Sequence, residues 1–459
     1  MRAWACSIFC AALLLAPAAL AEIERPAIVV TPGAPQVYRV AVQRFAQATP
    51  AAELAPPAVE PGEGGGTTAA TEAPALPDAR VFRERLLYWL EFSGIFEGID
   101  EAAYLGPEVS SAEPRCSDWS QIGADALVAG EFAGDAERLD VVFRIWDTAR
   151  CVVLREHRYR QARGAEIETP ARRIADDAVA AFIGRRGVAD TEIAFVSDRG
   201  GNKEIYVMSA DGSRVRAATA NGSRNNFPDW SPDANAIVYT SYRLKNRPLL
   251  FLSTRGRGKP GLVLPDLVEK RDQYRGVFSP GGDELALVLS NGGETDIFRA
   301  ELGGEDLRRL RGGRAIQVSP SWSPDAEQVA FVSDRSGSPQ IYVIDADGTD
   351  MRRLTFDGVY NASPAWSPDG LWIAYATLVN GQFDIWLCDP QTGESLPLVT
   401  HPRSDESPSW APNGRKLVFS SKRRGRADLY VIDRDGANLR RITRDAGNNT
   451  SPDWGPFRN

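Results

Sequence analysis

The sequence WSPD at residues 366–369 is one copy of a tetrapeptide that recurs through the second half of this chain. The aromatic residues of its six copies, some of them imperfect, are 48, 44, 44, 44 and 44 residues apart: Trp230, Phe278, Trp322, Trp366, Trp410 and Trp454. A nearly constant period of this length is typical of propeller and solenoid arrays, so the repeat decides the fold class of this half.

One repeat divides into four short strand patterns. The strands are expected at the following residues: 364–366, 371–377, 383–388 and 394–400. Proline presets φ in the turn after the first strand, and Asn380-Gly381 is a hairpin signal between the second and third. Four strands in about 44 residues predict one propeller blade, and the recurring aromatic residue is interpreted as core between neighbouring blades.

The two ends of the repeat region complement each other. Only five residues follow Trp454, too few for another blade, whereas residues 191–199 resemble a second strand that lacks a first. We expect residues 451–455 to supply the first strand of the blade whose other strands lie in 191–219. The sequence thus predicts an all-β six-bladed propeller over 191–459, closed by its C-terminal strand, which removes exposed strand edges.

The first 21 residues are interpreted as a secretory signal peptide. Arg2 precedes an apolar run at 3–16, and Ala19-Leu20-Ala21 is a small-x-small cleavage site. The mature chain is expected to begin at Glu22 and to be exported to the periplasm. No later stretch approaches the roughly 18 apolar residues of a membrane helix, so no direct membrane insertion is expected.

Residues 22–186 are predicted to form an α/β domain, with 187–190 as its joint to the propeller. Alanine, proline and glycine make up 20 of the 33 residues at 47–79, which predicts a disordered insertion or a long loop. Strands are expected at the following residues: 24–30, 38–45, 95–99, 125–132, 138–146 and 151–159.

Three helices are expected in this domain. The first begins at an Asp78 cap, and its apolar face comprises Val81, Phe82, Leu86, Trp89 and Leu90. The second is short and is capped by Ser117 or Asp118. The third opens at Thr169-Pro170 and ends at Gly184, with an apolar face of Ile174, Val179, Phe182 and Ile183.

Composition and motifs exclude several function classes. A net charge of −8 argues against general nucleic-acid binding, and the basic run at 422–426 is interpreted as a solvated hairpin tip. The chain has two histidines, His157 and His401, and it lacks a Gly-x-Ser-x-Gly elbow and a P-loop. Neither an enzyme nor a cofactor or metal site is predicted, and the Asp-Gly pairs at 211–212, 347–348 and 435–436 are interpreted as hairpin turns.

Three cysteines remain after the signal peptide. Cys116 and Cys151 could pair in an oxidising compartment, but spacing alone does not establish their proximity. Cys388 lies in a blade strand and is expected to be a buried free thiol.

The loops that lead into each blade are the candidate binding surface. Because the first strand of a blade is innermost, the six loops between fourth and first strands gather at one mouth of the central channel. The polar and aromatic candidates for partner contact there are Asn225, Asn226, Asp272, Tyr274, Tyr360, Asn361, His401, Asp405, Glu406, Asn448 and Asn449.

The residues resemble the TolB family, the periplasmic propeller component of the Tol–Pal system. The propeller repeats match, and residues 123–130 (GADALVAG) are similar to the signature of its N-terminal domain. Residues 28–30, 40–45 and 143–147 resemble strands of that domain, and the helix at 171–184 resembles the one that leads into blade one. The long insertion, Arg172-Arg173 in the last helix and the degraded second repeat depart from the family pattern.

The resemblance implies a monomeric, non-enzymatic scaffold that maintains the outer membrane and supports envelope constriction during division. Family members bind the peptidoglycan-associated lipoprotein Pal at the propeller mouth and TolA through the mature N-terminus. The corresponding TolA-binding residues here are Glu22, Ile23, Glu24, Arg25 and Ile28. Two alternatives stay open: a relative that binds glycan or another envelope ligand outside Tol–Pal, and a secreted hydrolase with acidic residues in its channel.

Overall fold

The computed structural model describes residues 36–47, 76–110, 113–135, 137–256, 258–444 and 447–458. The expected signal peptide, the strand at 24–30, the N-terminal binding segment and most of the insertion lie outside these residues. The domain bounds 22–186 and 191–459 therefore stay predictions, whereas the elements between them are described below.

The N-terminal domain is a mixed sheet covered by helices. Its elements are β1 Tyr38–Val42, β2 Ala46–Gln47, α1 Ala79–Phe92, β3 Phe96–Gly98, α2 Cys116–Ser120, β4 Ala126–Gly134, β5 Arg138–Asp147, β6 Val152–Ala162 and α3 Glu168–Ile183. The sheet order is β3-β1-β4-β5-β6, with β2 also paired to β4. β1 runs parallel to β3 and β4, while β4, β5 and β6 form an antiparallel meander. The strand predicted at 38–45 is wrong in its second half, because it stops at Val42.

Helix α1 begins at its predicted cap. One oxygen of Asp78 accepts hydrogen bonds from the backbone N–H groups of Arg80 (2.8 Å) and Val81 (3.3 Å), which are free in the first turn. Phe82 and Trp89 are fully buried against the sheet. The prediction that Val81 belongs to the apolar face is wrong, because this residue is 47% exposed.

The other two helices begin differently from the prediction. The cap of α2 is Arg115, whose side chain makes no capping hydrogen bond, so the predicted Ser117 or Asp118 cap is wrong. Helix α3 starts at Glu168, one residue before Thr169, and it ends as expected at Gly184 in a left-handed conformation (φ 70°). The Glu168 carboxylate explains the earlier start, because it binds Arg85 of α1 (2.7 Å) and thereby fixes the first turn of α3.

A disulfide joins Cys116 at the start of α2 to Cys151 in the β5–β6 turn, with their Cα atoms 5.6 Å apart. It ties the segment that precedes β4 to the β5–β6 turn, at the end of the sheet where β4 begins and β5 ends. The pairing that the sequence left open is therefore present in the structure.

The propeller consists of six four-stranded blades. Blade 1 contains β7 Glu192–Ser197, β8 Glu204–Ser209 and β9 Arg216–Ala217; blade 2 contains β10 Asn225–Trp230, β11 Ala236–Ser241, β12 Leu249–Thr254 and β13 Gly261–Leu262. Blade 3 contains β14 Asp272–Phe278, β15 Glu284–Asn291, β16 Glu294–Glu301 and β17 Arg308–Arg311; blade 4 contains β18 Gln317–Trp322, β19 Gln328–Ser333, β20 Gln340–Asp345 and β21 Arg352–Arg353. Blade 5 contains β22 Asn361–Trp366, β23 Ile373–Val379, β24 Gln382–Cys388 and β25 Ser395–Val399; blade 6 contains β26 Asp405–Trp410, β27 Lys416–Ser421, β28 Asp428–Asp433 and β29 Arg440–Arg441. Each sheet is antiparallel in chain order.

The ring closes through the last strand. Strand β30, Asn449–Trp454, pairs antiparallel with β7 and is the innermost strand of blade 1. The indole N–H of Trp454 donates to Thr191 Oγ1 (2.8 Å), and the N–H of Gly455 donates to the carbonyl of Glu192 (2.8 Å). The two ends of the propeller thus form one blade.

The recurring tetrapeptide is a turn with its own hydrogen bonds. In the copy at Trp322, Ser323 Oγ bonds the carboxylate of Asp325 (2.5 Å) and accepts from the N–H of Gln328 (2.8 Å). The same arrangement occurs in the copies at Trp230 and Trp366. The turn therefore fixes the entry into each second strand, which explains why serine and aspartate recur together.

The N-terminal domain packs on the end of the propeller where these turns lie. Arg185 Nη1 bonds Asp369 of one turn (3.3 Å), and Asn413 of the next turn donates to the carbonyl of Arg186 (3.1 Å). One apolar core runs from α1 and α3 through Val188 and Ala189 into the strands of blades 1 and 6. We call this end of the ring the base; the opposite end is the mouth.

Candidate partner-binding site

The mouth is formed by two sets of loops. Six loops connect the fourth strand of one blade to the first strand of the next: 218–224, 263–271, 312–316, 354–360, 400–404 and 442–448. Six more connect second and third strands: 198–203, 242–248, 292–293, 334–339, 380–381 and 422–427. Because the strands of a blade alternate in direction, both sets lie at the end away from the N-terminal domain.

Four of the predicted contact residues do not face this surface. Their side chains are fully buried where the first strand of a blade begins: Asn225, Asn361, Asp405 and Asn449. Asn225 Nδ2 donates to Glu204 (2.7 Å), and Asn361 Nδ2 donates to Gln340 Oε1 (2.8 Å), each at the start of a third strand. These residues hold the loops in place and are unavailable to a partner, so their prediction as contact residues is wrong.

The same position is polar and buried in all six blades. The equivalent residues of blades 3 and 4 are Gln273 and Gln317, and both are also fully buried. Gln273 Oε1 accepts from the N–H of Leu250 (3.2 Å), and Gln317 Nε2 donates to Asp296 (3.2 Å). The sequence does contain the signal for this role, because these six positions have the same spacing as the aromatic residues.

The other seven predicted residues retain accessible surface. They are Asn226, Asp272, Tyr274, Tyr360, His401, Glu406 and Asn448. Several are already oriented by neighbours: Asp272 pairs with Arg247 (2.7 Å), Glu406 pairs with Lys422 (2.7 Å), and Asn448 donates to Asp198 (2.9 Å). Their role in binding stays a prediction.

The mouth also has a group of exposed apolar side chains. The sequence-based prediction included only one of them, Tyr360. The group comprises Ile316 (49% exposed), Phe356 (71%), Val359 (68%) and Tyr360 (40%). These residues lie in the loops that lead into blades 4 and 5. Arg353 stacks over the Phe356 ring (4.8 Å to its centroid), and Tyr360 packs edge-on against Phe383. Exposed apolar groups of this kind mark interaction surfaces.

A bulge in every first strand shapes the channel below the mouth. The residue three positions before each aromatic residue has a positive φ of 39–57°: Phe227, Arg275, Ser319, Ser363, Ser407 and Ser451. Proline follows in five of the six cases, and the strand register shifts at each of these points. Residues at and beside these bulges line a cavity of about 90 Å³.

Charged side chains line this cavity. Asp229 accepts from the N–H of Phe278 (2.8 Å), and Asp453 accepts from the N–H of Trp230 (2.8 Å), so each carboxylate joins its blade to the next. Burial raises the pKa of both carboxyl groups, and burial lowers the pKa of Arg275, which donates to Ser319 (3.3 Å). The carboxylates therefore have a structural task, which distinguishes them from an acid–base pair open to substrate.

The described residues contain no cluster of three or more histidine, cysteine, aspartate or glutamate side chains arranged to hold a metal ion. The turn aspartates are engaged locally, since Asp347 accepts from the N–H (2.9 Å) and the hydroxyl (2.6 Å) of Thr349. Within the same part of the chain, none of the helices has the length and apolar character that crossing a membrane requires.

Two family models match the chain. The TolB beta propeller domain matches residues 272–458, and the TolB amino-terminal domain matches residues 89–152. Their order along the chain is that of the two structural units described above.

Curated relatives and a solved structure agree with these matches. The Tol-Pal system protein TolB of Anaeromyxobacter dehalogenans strain 2CP-C is 34% identical over 320 residues, which cover 68% of this chain and 66% of that protein. The protein of the same name from Syntrophotalea carbinolica is 37% identical over 153 residues, covering 32% of this chain and 35% of the relative. The chain thus aligns with about two thirds or less of the length of these relatives.

The crystal structure of TolB from Acinetobacter baumannii superposes with a TM-score of 0.75. The superposition covers 92% of this chain and 97% of that one at 22% sequence identity. At this identity the match shows that the two proteins share a fold.

Proposed function

Because the chain belongs to the TolB family, we propose that it is a non-enzymatic periplasmic component of a Tol–Pal system. In this proposal the mouth binds the lipoprotein Pal, and the N-terminal segment that includes Glu22 to Ile28 binds TolA. The protein then links the inner membrane to peptidoglycan and the outer membrane, and it supports envelope constriction during division.

One observation carries the assignment of the mouth. The N-terminal domain covers the base of the propeller, with contacts from Arg185 and Arg186 to the turns of blades 5 and 6. The twelve loops at the other end make no such contact with that domain among the described residues, and they include the exposed group around Phe356. A rigid ring with one covered and one uncovered end offers its loops to a partner.

The absence of catalysis is part of the proposal. His401 accepts from the N–H of Arg403 through Nδ1 (3.1 Å), and His157 packs edge-on against Phe143 and Tyr159. The channel carboxylates bind backbone N–H groups. These engagements support a scaffold, and an activity screen on peptide and glycan substrates tests it: turnover that Asp229→Asn abolishes would contradict the proposal.

Titration calorimetry of the mature protein with Pal from the same organism tests the partner. Saturable 1:1 binding is expected, weakened about tenfold by Tyr360→Ala together with Asn448→Ala, as for contact residues at an interface. The matched control is Val215→Ala, an exposed residue at the base, which should bind like the unchanged protein. Absence of binding by the folded protein would favour the alternative of a propeller that binds glycan or another envelope ligand.

TolA binding is tested separately. Removal of residues 22–28 should abolish binding to TolA and leave the affinity for Pal within a factor of about two, because the segment precedes the N-terminal domain and the mouth lies at the far end. An unchanged affinity for TolA would remove this part of the proposal.

A further inference from the structure

Charge is distributed unevenly between the two ends of the propeller. The loops between second and third strands, at the mouth, contain ten lysines and arginines: Arg199, Lys203, Arg243, Lys245, Arg247, Arg335, Lys422, Arg423, Arg424 and Arg426. They contain only two acidic residues, Asp198 and Asp334. The turns between first and second strands, at the base, have the opposite balance: Asp233, Asp283, Asp325, Glu327 and Asp369 against Arg415. The mouth is therefore basic on a chain whose net charge is −8.

Some of these cations are already used within the protein. Arg423 binds the buried carboxylate of Asp405 (3.0 Å) and stacks over Tyr430, and Arg247 pairs with Asp272. Arg199 and Arg335 bond a serine two residues earlier and stack on aromatic rings of their own blades. These side chains stabilise the blades, and we do not include them among the cations that are free to bind a partner.

Eight other cations of the mouth loops are exposed and form no ion pair with the described residues: Lys203, Arg224, Arg243, Lys270, Arg314, Arg403, Arg424 and Arg444. Six of the eight belong to loops of blades 6, 1 and 2, which are neighbours because β30 closes blade 1 beside β26 and β10. Of these six, Arg243 is engaged, because it donates to the carbonyl of Pro260 (2.9 Å) and stacks over Phe251. We call the other five the basic arc: Lys203, Arg224, Arg403, Arg424 and Arg444. Within the arc, Arg224 stacks over the ring of Tyr242 (3.8 Å to its centroid).

The apolar group lies on the other side of the mouth. Ile316, Phe356, Val359 and Tyr360 belong to the loops that lead into blades 4 and 5. The half of the mouth over blades 6, 1 and 2 therefore holds the basic arc, and the half over blades 3, 4 and 5 holds the apolar group together with two exposed cations, Lys270 and Arg314. Arginine and aromatic side chains are the residue types enriched at protein interfaces, whereas a polyanion or a lipid headgroup alone would have no use for the apolar group.

We infer that the mouth is a two-part docking surface whose partner is a protein that places carboxylates on the basic arc and an apolar anchor between the loops of blades 4 and 5. This inference rests on the proposed function, since it specifies the chemistry of the surface that Pal would present. Exposed charges at the rim of an interface accelerate association, whereas a buried apolar anchor slows dissociation.

Binding kinetics at two salt concentrations test both halves. The arc variant carries Lys203→Glu, Arg403→Glu and Arg424→Glu. We expect it to bind Pal with an association rate constant roughly tenfold lower at about 0.05 M salt, and the difference should shrink at about 0.3 M salt because exposed charges are screened. The variant with Phe356→Ser and Val359→Ser should instead dissociate roughly tenfold faster at both salt concentrations.

The matched control reverses three exposed cations outside the mouth loops. Arg80, Arg138 and Lys259 are exposed and form no ion pair with the described residues, so their change to glutamate alters the net charge equally. The control should associate as the unchanged protein does. An arc variant that is indistinguishable from this control overturns the inference and leaves the proposed function intact.

Two further outcomes separate the explanations. Failure of the unchanged protein to bind Pal overturns the proposed function, and the inference falls with it. The unchanged protein and the control could also sediment with phosphatidylglycerol vesicles while the arc variant does not. If the arc variant then still associates with Pal at the normal rate, the arc binds a membrane surface, and the inference is overturned. Thermal unfolding of each variant confirms that it is folded.

Discussion

At the scale of the residue, the same type of side chain has opposite roles in adjacent positions. Asn225 is sealed inside the start of a strand, while its neighbour Asn226 is half-buried at the mouth. A buried amide with satisfied hydrogen bonds stabilises the blade, and its removal leaves a polar partner without a bond. The buried polar position of each blade is therefore a determinant of stability.

Replacement of Asn361 by alanine should lower the free energy of unfolding by about 2 kcal/mol, because Gln340 Oε1 loses one of its two buried donors and keeps only the Thr355 hydroxyl. The matched change Asn226→Ala should cost less than about 0.5 kcal/mol, as surface substitutions usually do. Urea unfolding measures both. Unchanged stability of Asn361→Ala with weakened Pal binding would return Asn361 to the contact surface.

A buried carboxylate of α3 that binds the joint makes the stability of the protein depend on pH. Asp176 of α3 accepts from the N–H groups of Ala189 (2.7 Å) and Asp190 (3.0 Å), and burial raises its pKa to about 7. The folded protein thus binds a proton that the unfolded chain, with a pKa of 3.8, has released. This contribution to stability is present at low pH and is lost as the pH rises from 4 to 7.

We expect the unfolding free energy to decrease between pH 5 and pH 8, and the decrease should be smaller in Asp176→Asn, which cannot titrate. Asp229 and Asp453 contribute with the same sign, so a part of the slope should persist in this variant. Denaturant unfolding across the pH range measures the slope. An identical slope in Asp176→Asn would mean that the residue stays ionised in the folded protein.

At the scale of the element, the strands are held by partners that are distant in sequence. β30 pairs with β7 across most of the propeller sequence, and the disulfide fastens α2 to the β5–β6 turn. Each link closes a long loop. Loss of the disulfide increases the conformational entropy of the unfolded chain, and loss of β30 exposes a strand edge.

A chain that lacks residues 450–459 should unfold at lower temperature or self-associate, because β7 becomes an open edge and the Trp454 indole leaves the core. Size-exclusion chromatography and thermal unfolding follow the two effects. A monomer with an unchanged melting temperature would show that closure by β30 contributes nothing.

Serine at both Cys116 and Cys151 should reduce stability by about 4 kcal/mol, the loop-entropy value for a disulfide that closes a loop of this length. Hydrogen exchange should quicken mainly in α2 and the segment before β4, while the blades keep their protection. The buried thiol Cys388 provides the control, since Cys388→Ala removes a sulfur without opening a loop. Equal stability of the reduced and oxidised proteins would contradict the expectation.

The elements differ in how well the sequence predicts them. The blades were predictable because aromatic residues, turns and hairpin signals recur together every 44 residues. The start of α3 was not predictable, because it depends on the contact between Glu168 and Arg85. These two residues are 83 positions apart in the sequence, and no local pattern reveals such a contact. The exposed side chains of the candidate surface at the mouth were predicted only in part. A sequence shows that Asn361 is polar and that Phe356 is apolar, but only packing decides that the first is buried and the second exposed.

At the scale of the whole molecule, the two structural units share one apolar core. Residues of α1 and α3 pack in the same cluster as Phe195 of β7, Leu429 of β28 and Trp454 of β30. The N-terminal domain is therefore a part of the folded ring's base, and its orientation relative to the mouth is fixed by burial of apolar surface.

This continuity predicts that both units unfold in a single transition. Differential scanning calorimetry should give one peak in which the calorimetric and van't Hoff enthalpies agree. Two resolved peaks would show that the apolar contact between the units is too weak to couple them. The charge-reversal control with Arg80→Glu should leave the single peak in place, because that residue is exposed on the outer side of α1.

The closure of blade 1 also decides how the molecule would bear tension. A pull between the N-terminal domain and a partner at the mouth enters the ring at Thr191, immediately before β7. Strand β7 pairs with β8 along its full length and with β30 at Ile193, Ala194, Val196 and Ser197. The load is therefore shared by two rows of hydrogen bonds in shear, and the strand cannot be peeled away one bond at a time as an edge strand can. The pairing of the C-terminal strand with β7 thus gives the point of attachment two hydrogen-bonded neighbours, where an open blade would leave it with one.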